Sequence, residues 1–367
     1  MDDQLPVTVG VEEEFVLVDP ASGEVALEGP RVLGLLADEP AVMPEFLRFQ
    51  IETATGVCRT LSEVRTDLIR LRRRLADAAG RVGCLLVASG VAPFGVTPGI
   101  CGVTPDPRYR VLAERFPSLV ADAGTCACHV HVAIPAPELG VRVLAGLRPW
   151  LGTLLALTAN SPFHHGVDSG WDSVRYPLWS RWPTARPPGA WSGLAEYEAS
   201  VSDAIRSGAA LDARSVYYYA RLSPRHPTVE VRIADVCLDV EDTVLLAGLV
   251  RALVVTGLRE AGSGARPRLV ADSLVEASFT AAARTGTAGP GIDLSSGSET
   301  SQESLVEALL DRARPVLREY GDLDEVERRL KAVGVRGNGA ARQRALRAAS
   351  PSPANFVGRL AEMTLGE

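Results

Sequence analysis

Four segments of this chain alternate apolar and polar residues with the period of a β-strand, and in each the polar positions carry ionisable side chains: VGVEEEFVL, FLRFQIETAT, TCACHVHVAI and TVEVRIAD. Successive side chains of a strand point to opposite faces. Glu12 and Glu14 therefore share a face with Gly10, about 7 Å apart along the strand, whereas Glu13 falls with Val11, Phe15 and Leu17. By the same rule Phe49 and Ile51 oppose Gln50 and Glu52, and Val229, Val231 and Ile233 oppose Glu230 and Arg232. In the third segment Cys126, Cys128, Val130, Val132 and Ile134 oppose Ala127, His129, His131 and Ala133. Each strand thus has one face for a core and one face bearing acids or histidines. If the four are neighbours, Glu12, Glu14, Glu52 and Glu230 converge.

The stretch CACHVHV has the residue types of a zinc knuckle. Alternation argues against one, because it sends the thiols into the core and the imidazoles to the other side of the sheet. The converging glutamates make the stronger case. Crowded carboxylates raise one another's pKa unless a cation sits among them, and magnesium or manganese is the natural occupant, since hard ions take carboxylate oxygens and share their shell with nucleotide phosphates. Arg232, two residues from Glu230 on the same face, adds a permanent cation suited to phosphoryl oxygens. The plainer reading is a half-exposed sheet with solvated Glu and Arg; four such strands in one chain weigh against it.

Bulk properties set the frame. A 367-residue chain with 46% apolar residues has ample material for a core. Its net charge of −7 is mild and interspersed, which gives no footprint for nucleic acid or a membrane surface. The opening MDDQLPVTVG has neither the basic nor the apolar region of a signal peptide, so a cytoplasmic setting is the expectation. VLAGLRPWLGTLLALTA and VLLAGLVRALVVTGL are interrupted by arginine or proline and read as buried helices, not spans. Six scattered cysteines (58, 84, 101, 126, 128 and 237) fit reduced thiols.

Along the chain, TLSEVRTDLIRLRRRLADAAG predicts a helix with Thr60 and Glu63 as a capping box, Val64, Leu68, Leu71 and Leu75 on one stripe and Gly80 as its stop. CLLVASGV reads as a strand, residues 92–107 as a long loop near a site, and a helix is predicted from Val143 to Asn160. The Trp-, Arg- and His-bearing region 161–188 reads as loop with ligand contact, SVYYYARL as a further strand, the chain beyond Val240 as mostly helical and SGSETSQES as a polar linker. This order predicts an α+β fold in a single domain, residues 1–367, with a largely antiparallel sheet, helices packed on one face and the active site on the other.

GVEEEF, EFLRFQIETATGVC, CACHVHV, LTANSPFHHGVDSGWDSVR, RWPTARPP, PTVEVRIAD and GNGAARQRAL, in this order across nearly the whole chain, resemble the carboxylate-amine ligase family, the relatives of type 2 glutamate-cysteine ligase. The resemblance implies a glutamine-synthetase-like fold and ATP- and Mg2+-dependent amide formation (with Mn2+ as the other ion) from glutamate or a related amino acid and cysteine or another amine, in a homodimer. By motif, Glu12, Glu14, Glu52 and Glu230 correspond to metal-holding glutamates, with Glu45 an addition to them. His129 corresponds to the histidine beside metal and nucleotide, and Arg232 to the arginine near the transferred phosphoryl group. Asn160 and Arg175 match positions that would contact substrate, against a helix cap and an ion pair as their plainer roles; Arg221 would bind a substrate carboxylate bidentately. Ala127 in place of glycine, HHG near Phe163 and YYYARL without a tryptophan depart from the family pattern in substrate regions. A phosphotransferase of the same superfamily and a non-catalytic nucleotide-binding relative are the alternatives.

Overall fold

The computed structural model describes residues 7–95, 102–120, 124–264 and 268–366. Its main sheet is built around β1 (Val9–Val18), with β2 (Val42–Pro44), β3 (Gln50–Ala54), β4 (Leu85–Val87) and β5 (Cys128–Ala133) following in the chain. A small hairpin of β6 (Phe163–His164) and β7 (Val167–Asp168) precedes β8 (Ala220–Leu222) and β9 (Thr228–Val231), which return to the main sheet. A second hairpin pairs β10 (Pro290–Asp293) with β11 (Ser298–Ser301). The main sheet runs β2-β3-β1-β5-β9-β8, with β4 added to the end of β1, and its ladders are antiparallel. The α+β class and the antiparallel sheet expected from the alternation are what the chain adopts.

Register brings the polar positions together. Glu14 lies opposite Glu52, Glu12 opposite His129, His131 opposite Glu230, and Glu230 opposite Arg221. A slip of one residue in any ladder would have turned that strand's acids into the core.

Helices cover the other face. The 23-residue helix Val240–Gly262, capped by Asp239, is apolar nearly all round because it is enclosed: it packs on β5 and β1 and against helices Leu61–Arg81, Pro137–Leu147, Gln302–Glu319 and Leu323–Arg336. Helix Leu61–Arg81 has the expected capping box, with Glu63 N bonded to Thr60 Oγ1 and the Glu63 carboxylate accepting from Thr60 N, and its stripe of Val64, Leu68, Leu71 and Leu75 is buried. It passes Gly80 without stopping; Gly83, at φ 85°, makes the left-handed turn instead.

Other boundaries moved for local reasons. The helix placed at 143–160 starts at Pro137 and tightens into a 3-10 turn at Arg148–Trp150, where Pro149 supplies no N–H. Region 161–188 holds the β6–β7 hairpin and the short helix Arg175–Trp179. SGSETSQES is not a linker: it forms β11 and the Ser301 cap of the next helix, after a turn that Gly297 makes at φ 73°. FLRFQIETAT enters the sheet only at Gln50, and SVYYYARL only at Ala220. Of the loop at 92–107, residues 96–101, Cys101 among them, lie outside the described ones; Asp106 caps the helix Pro107–Arg115. Among the described residues no helix is long and apolar enough to cross a membrane.

Glu13, the one acid of β1 that alternation sends coreward, meets Arg72 of helix Leu61–Arg81. Arg72 Nε and Nη2 donate to its carboxylate at 2.9 and 2.5 Å, Thr243 Oγ1 adds 2.7 Å, and the remaining guanidinium donors reach the carbonyls of Cys237, Leu238 and Thr364. With side chains 1% and 0% exposed, neither charge can turn to water. Arg72→Ala or Glu13→Ala is expected to destabilise the fold by about 3–5 kcal/mol in urea unfolding, and an apolar replacement of both by much less.

Candidate active site

The polar face opens into a cleft of about 950 Å³, its mouth included, whose lining holds Glu12, Glu14, Glu45, Glu52, His129, His131, Arg221, Glu230 and Arg232. Four adjacent strands, β3, β1, β5 and β9, contribute the centre. His129 Nδ1 lies 3.0 Å from Glu12 Oε2 and its Nε2 3.7 Å from Glu14 Oε1; His131 Nε2 lies 3.3 Å from Glu12 Oε1. Two groups have donor atoms close enough to share an ion: Glu12, His131 and Glu230, and Glu12, Glu52 and His129. Glu12 belongs to both. Neither contains a cysteine. Cys128 lies on the core side beside Cys237 and Glu13, while His129 faces the cleft, so the knuckle is absent for the reason alternation gave.

The acids are electrostatically unequal. Burial alone would raise Glu12, but the imidazoles of His129 and His131 beside it hold it well below the usual carboxylate range. Burial, then the nearby Glu45 charge, push Glu14 up to about 8. Glu52 is raised well above the ordinary value by burial and by Glu12, Glu45 and Glu14 around it. Glu45 is raised by burial. Burial also opposes the charge of Glu230, yet the Arg232 and Arg221 guanidiniums on either side hold it ionised far below the carboxylate range. Burial and the Arg232 charge lower His129 to about 4, so its ring is neutral at pH 7.

Arg232 is tied to Glu230 by one Nη, while its buried Nε has no hydrogen-bond partner. Its backbone is fixed on both sides, by Tyr219 O and by Arg175, whose Nη1 and Nη2 donate to the carbonyls of Ile233 and Arg232 at 3.0 and 3.2 Å.

That last contact corrects one expectation. Arg175 does not line the cleft; it lies behind Arg232, 3.7 Å from buried Asp235. Asn160 is corrected likewise. Its amide donates to the carbonyls of Ala88 and Val236 and accepts from Gln343 Nε2 at 2.8 Å, a buried junction that ties TANSPF to the late GNGAARQ segment. Arg221 lines the cleft, but four of its five N–H donors are spent on Glu230, at 2.8 and 3.2 Å, and on the carbonyls of Arg214 and Val216, so it buttresses a glutamate and cannot grip a substrate carboxylate bidentately. Glu45 lines the cleft yet falls in neither ion-holding group.

Sequence reasoning placed His131 on the right face without giving it a role. Its Nδ1 is 2.9 Å from Thr228 Oγ1, which fixes the ring, and its buried Nε2 has no hydrogen bond; the HVH alternation was the available signal. Tyr109, Trp182 and Tyr217, which wall one end, had only the general hint of an aromatic-rich loop.

A sheet with helices on one face and this cleft on the other is the fold of glutamate–cysteine ligase and related ligases. Over 98% of this chain and 89% of the other, it superposes with a TM-score of 0.69 and 16% identity on a glutamate–cysteine ligase from Francisella tularensis in complex with AMP. The ligase PafA, solved with the ubiquitin-like protein Pup, gives 0.54 and 15% over 99% of this chain and 70% of PafA. Residues 8–362 match the family model "Glutamate-cysteine ligase family 2". Among relatives that are 44% identical are "Putative glutamate--cysteine ligase 2-1" of Saccharopolyspora erythraea, over 93% of this chain and 90% of the relative, and "Putative glutamate--cysteine ligase 2-2" of a Mycobacterium species, over 98% of both. The chain belongs to glutamate-cysteine ligase family 2.

Proposed function

We propose that the protein is an ATP-dependent carboxylate-amine ligase that activates glutamate or a related amino acid as an acyl phosphate and passes the acyl group to an amine. The observation that carries this reading is the row of Glu52, Glu14, Glu12, His129, His131 and Glu230 across adjacent strands, closed by Arg232. Family membership supports it, and the AMP held by the Francisella enzyme of the same fold is in keeping with it.

The residues fit divalent cations. Hard oxygen donors with imidazoles converge, His131 Nε2 is buried without a bond, and Glu14 and Glu52 are crowded enough to hold protons in the absence of a counter-charge. Glu12, Glu14, Glu52, Glu230, His129 and His131 would hold Mg2+ or Mn2+, which supply charge neutralisation between carboxylates and polyphosphate.

The acid's carboxylate oxygen attacks the γ-phosphorus, the new O–P bond forming as the bond to the β,γ-bridging oxygen breaks and ADP leaves. Arg232 neutralises the transferring group from a backbone held by Arg175. His129, neutral and oriented by Glu12, keeps a second cation from competing with it. The amine nitrogen then attacks the acyl carbon, the C–N bond forms as the C–O bond to phosphate breaks, and the surplus proton departs with the phosphate as the hydrogen phosphate dianion. Hydroxylamine trapping tests this: ATP- and Mg2+-dependent hydroxamate with one acid of an amino- and carboxylic-acid panel is expected. ATP turnover with phosphate retained on a product, and no hydroxamate, would favour phosphoryl transfer instead.

Loading with cation is pH-dependent in a stated direction. Glu14 keeps its proton up to about pH 8 and Glu52 is shifted the same way. Binding must expel those protons, so Mg2+ affinity is expected to rise with pH between about 6 and 8.5. Stability of the metal-free fold moves oppositely: folded carboxylates of raised pKa favour the fold below the unfolded value and lose that contribution as pH climbs through the folded one. Calorimetry in two buffers of different ionisation enthalpy reads the proton release; a pH-independent affinity contradicts it.

A further inference from the structure

Behind Arg232 lies a carboxylate that the chemistry of the cleft does not use. Asp235 follows β9 and is 0% exposed. Its Oδ2 accepts from Asn160 N at 2.9 Å and from Ser161 Oγ at 2.6 Å, its Oδ1 accepts from Ser173 Oγ at 2.8 Å, and Arg175 Nη1 stands 3.7 Å from Oδ1. The space it occupies depends on a glycine. A Cβ on Gly90 would lie 2.7 Å from both Cγ and Oδ2 of Asp235. Gly90 has no positive φ, so the close approach of the carboxylate, and not the backbone, excludes a side chain there.

A buried charge is costly, and an apolar side chain would serve a core as well or better. The partners of Asp235 show where this charge is directed. Ser161 Oγ donates to Asp235 and accepts from Arg175 N at 3.2 Å, so the backbone of Arg175 is tied to the carboxylate through one hydroxyl. The guanidinium of Arg175 stands between that carboxylate and the carbonyls of Ile233 and Arg232. Asp235 therefore fixes Arg175 at both ends, and Arg175 holds the main chain from which the Arg232 side chain enters the cleft. Arg175 also lies over the ring of Trp179, at 5.9 Å, and Trp179 lines the same cleft.

We propose that Asp235 is a positioning residue for Arg232: through Arg175 it sets where the Arg232 guanidinium stands, and with it the rate of the step that develops charge there. The effect on rate rests on the ligase reading and deepens it; the effect on the Arg232 side chain does not depend on that reading. A group displaced by ~1 Å from its productive place costs on the order of a hundredfold in rate. Substrate binding is little changed by such a shift, because the charge itself remains in the cleft.

Asp235→Asn keeps the shape and removes the charge. Its hydroxamate rate is expected to fall about ten- to a hundredfold, with KM for ATP and for the acid within about twofold. Added to Arg232→Ala, the same change should cost less than about twofold, since a residue acting through Arg232 then has nothing to position. Gly90→Ala, which pushes the carboxylate from its place with its charge intact, should give the same pattern and serves where Asp235→Asn does not fold. Asp322→Asn, which cuts a buried pair with Arg251 outside the cleft lining, is the comparator for lost stability alone, with an unchanged rate expected. Nitrogen-15 relaxation of the Arg232 Nε–H, assigned by its loss in Arg232→Lys, reads the side chain directly. Its order parameter is expected to fall from about 0.85 to below about 0.6 in Asp235→Asn. Rate losses that add in full to that of Arg232→Ala, or an Arg232 Nε–H as rigid as before, overturn the proposal. Absence of hydroxamate with every acid overturns the ligase reading, and the relaxation result then decides the role of Asp235 by itself.

Discussion

Glu52→Gln is expected to lower ATP-dependent hydroxamate formation by about a thousandfold or more while leaving the metal-free fold as stable or raising its melting temperature by ~1–3 °C. The two effects share one cause. Glu52 lies directly opposite Glu14 across the β1–β3 ladder, and burial together with Glu12, Glu45 and Glu14 pushes its carboxyl well above the ordinary range. In the metal-free fold Glu52 must take up a proton that the unfolded chain would not hold at neutral pH, a cost to folding that a neutral isostere removes. The same change removes a donor from the Glu12, Glu52 and His129 group. A residue whose loss stabilises the fold and abolishes the activity is one kept for chemistry. Thermal melts and hydroxamate rates on one preparation read both; an active Glu52→Gln protein would remove Glu52 from the ion-holding set.

Arg232→Ala is expected to reduce the rate by about a hundred- to a thousandfold, the effect of deleting one fixed donor aimed at developing charge. Its side chain lines the cleft beside Glu230, and its backbone is clamped between Tyr219 and Arg175, which holds the guanidinium at the carboxylate row. Glu230 keeps Arg221 in the variant, so the strand remains neutralised. Burial, the larger cause of the low His129 pKa, remains in the variant, but the Arg232 charge is lost, so the pKa is expected to rise from about 4 by part of the way to the ordinary imidazole value. Arg232→Lys restores charge without the planar fork and should recover only part of the rate. Steady-state kinetics with an NMR titration of His129 would separate these effects; an unchanged rate with a shifted imidazole would confine Arg232 to electrostatic support.

The face assignment was legible because strand alternation has no intermediate solution: once Val11 and Phe15 are in the core, Glu12 and Glu14 cannot be. The same rule gave His129 with His131 and Glu230 with Arg232. Strand order was not legible, since the ladders join segments more than a hundred residues apart, as in Glu12 with His129. Arginine roles were least readable. Arg72, Arg175 and Arg221 occur in stretches no different from that of Arg232, and only the folded chain tells which guanidinium is consumed by carbonyls and carboxylates. Asn160 and the GNGAARQ segment resemble family motifs because they pack together: a Cβ on Gly339 would stand 2.3 Å from Asn160 Oδ1, so this junction is built for packing. The aromatic wall of the cleft draws on residues from 46 to 217, and no local pattern announces it.

Carboxylate activation, the central claim, is tested most directly by isotope transfer. With the acid that hydroxamate trapping identifies, labelled with 18O in its carboxylate, and an amine acceptor present, the phosphate released from ATP should carry one labelled oxygen for each amide formed, because the carboxylate oxygen attacks phosphorus and leaves with it. Unlabelled phosphate accompanying amide formation would contradict acyl-phosphate chemistry at this site.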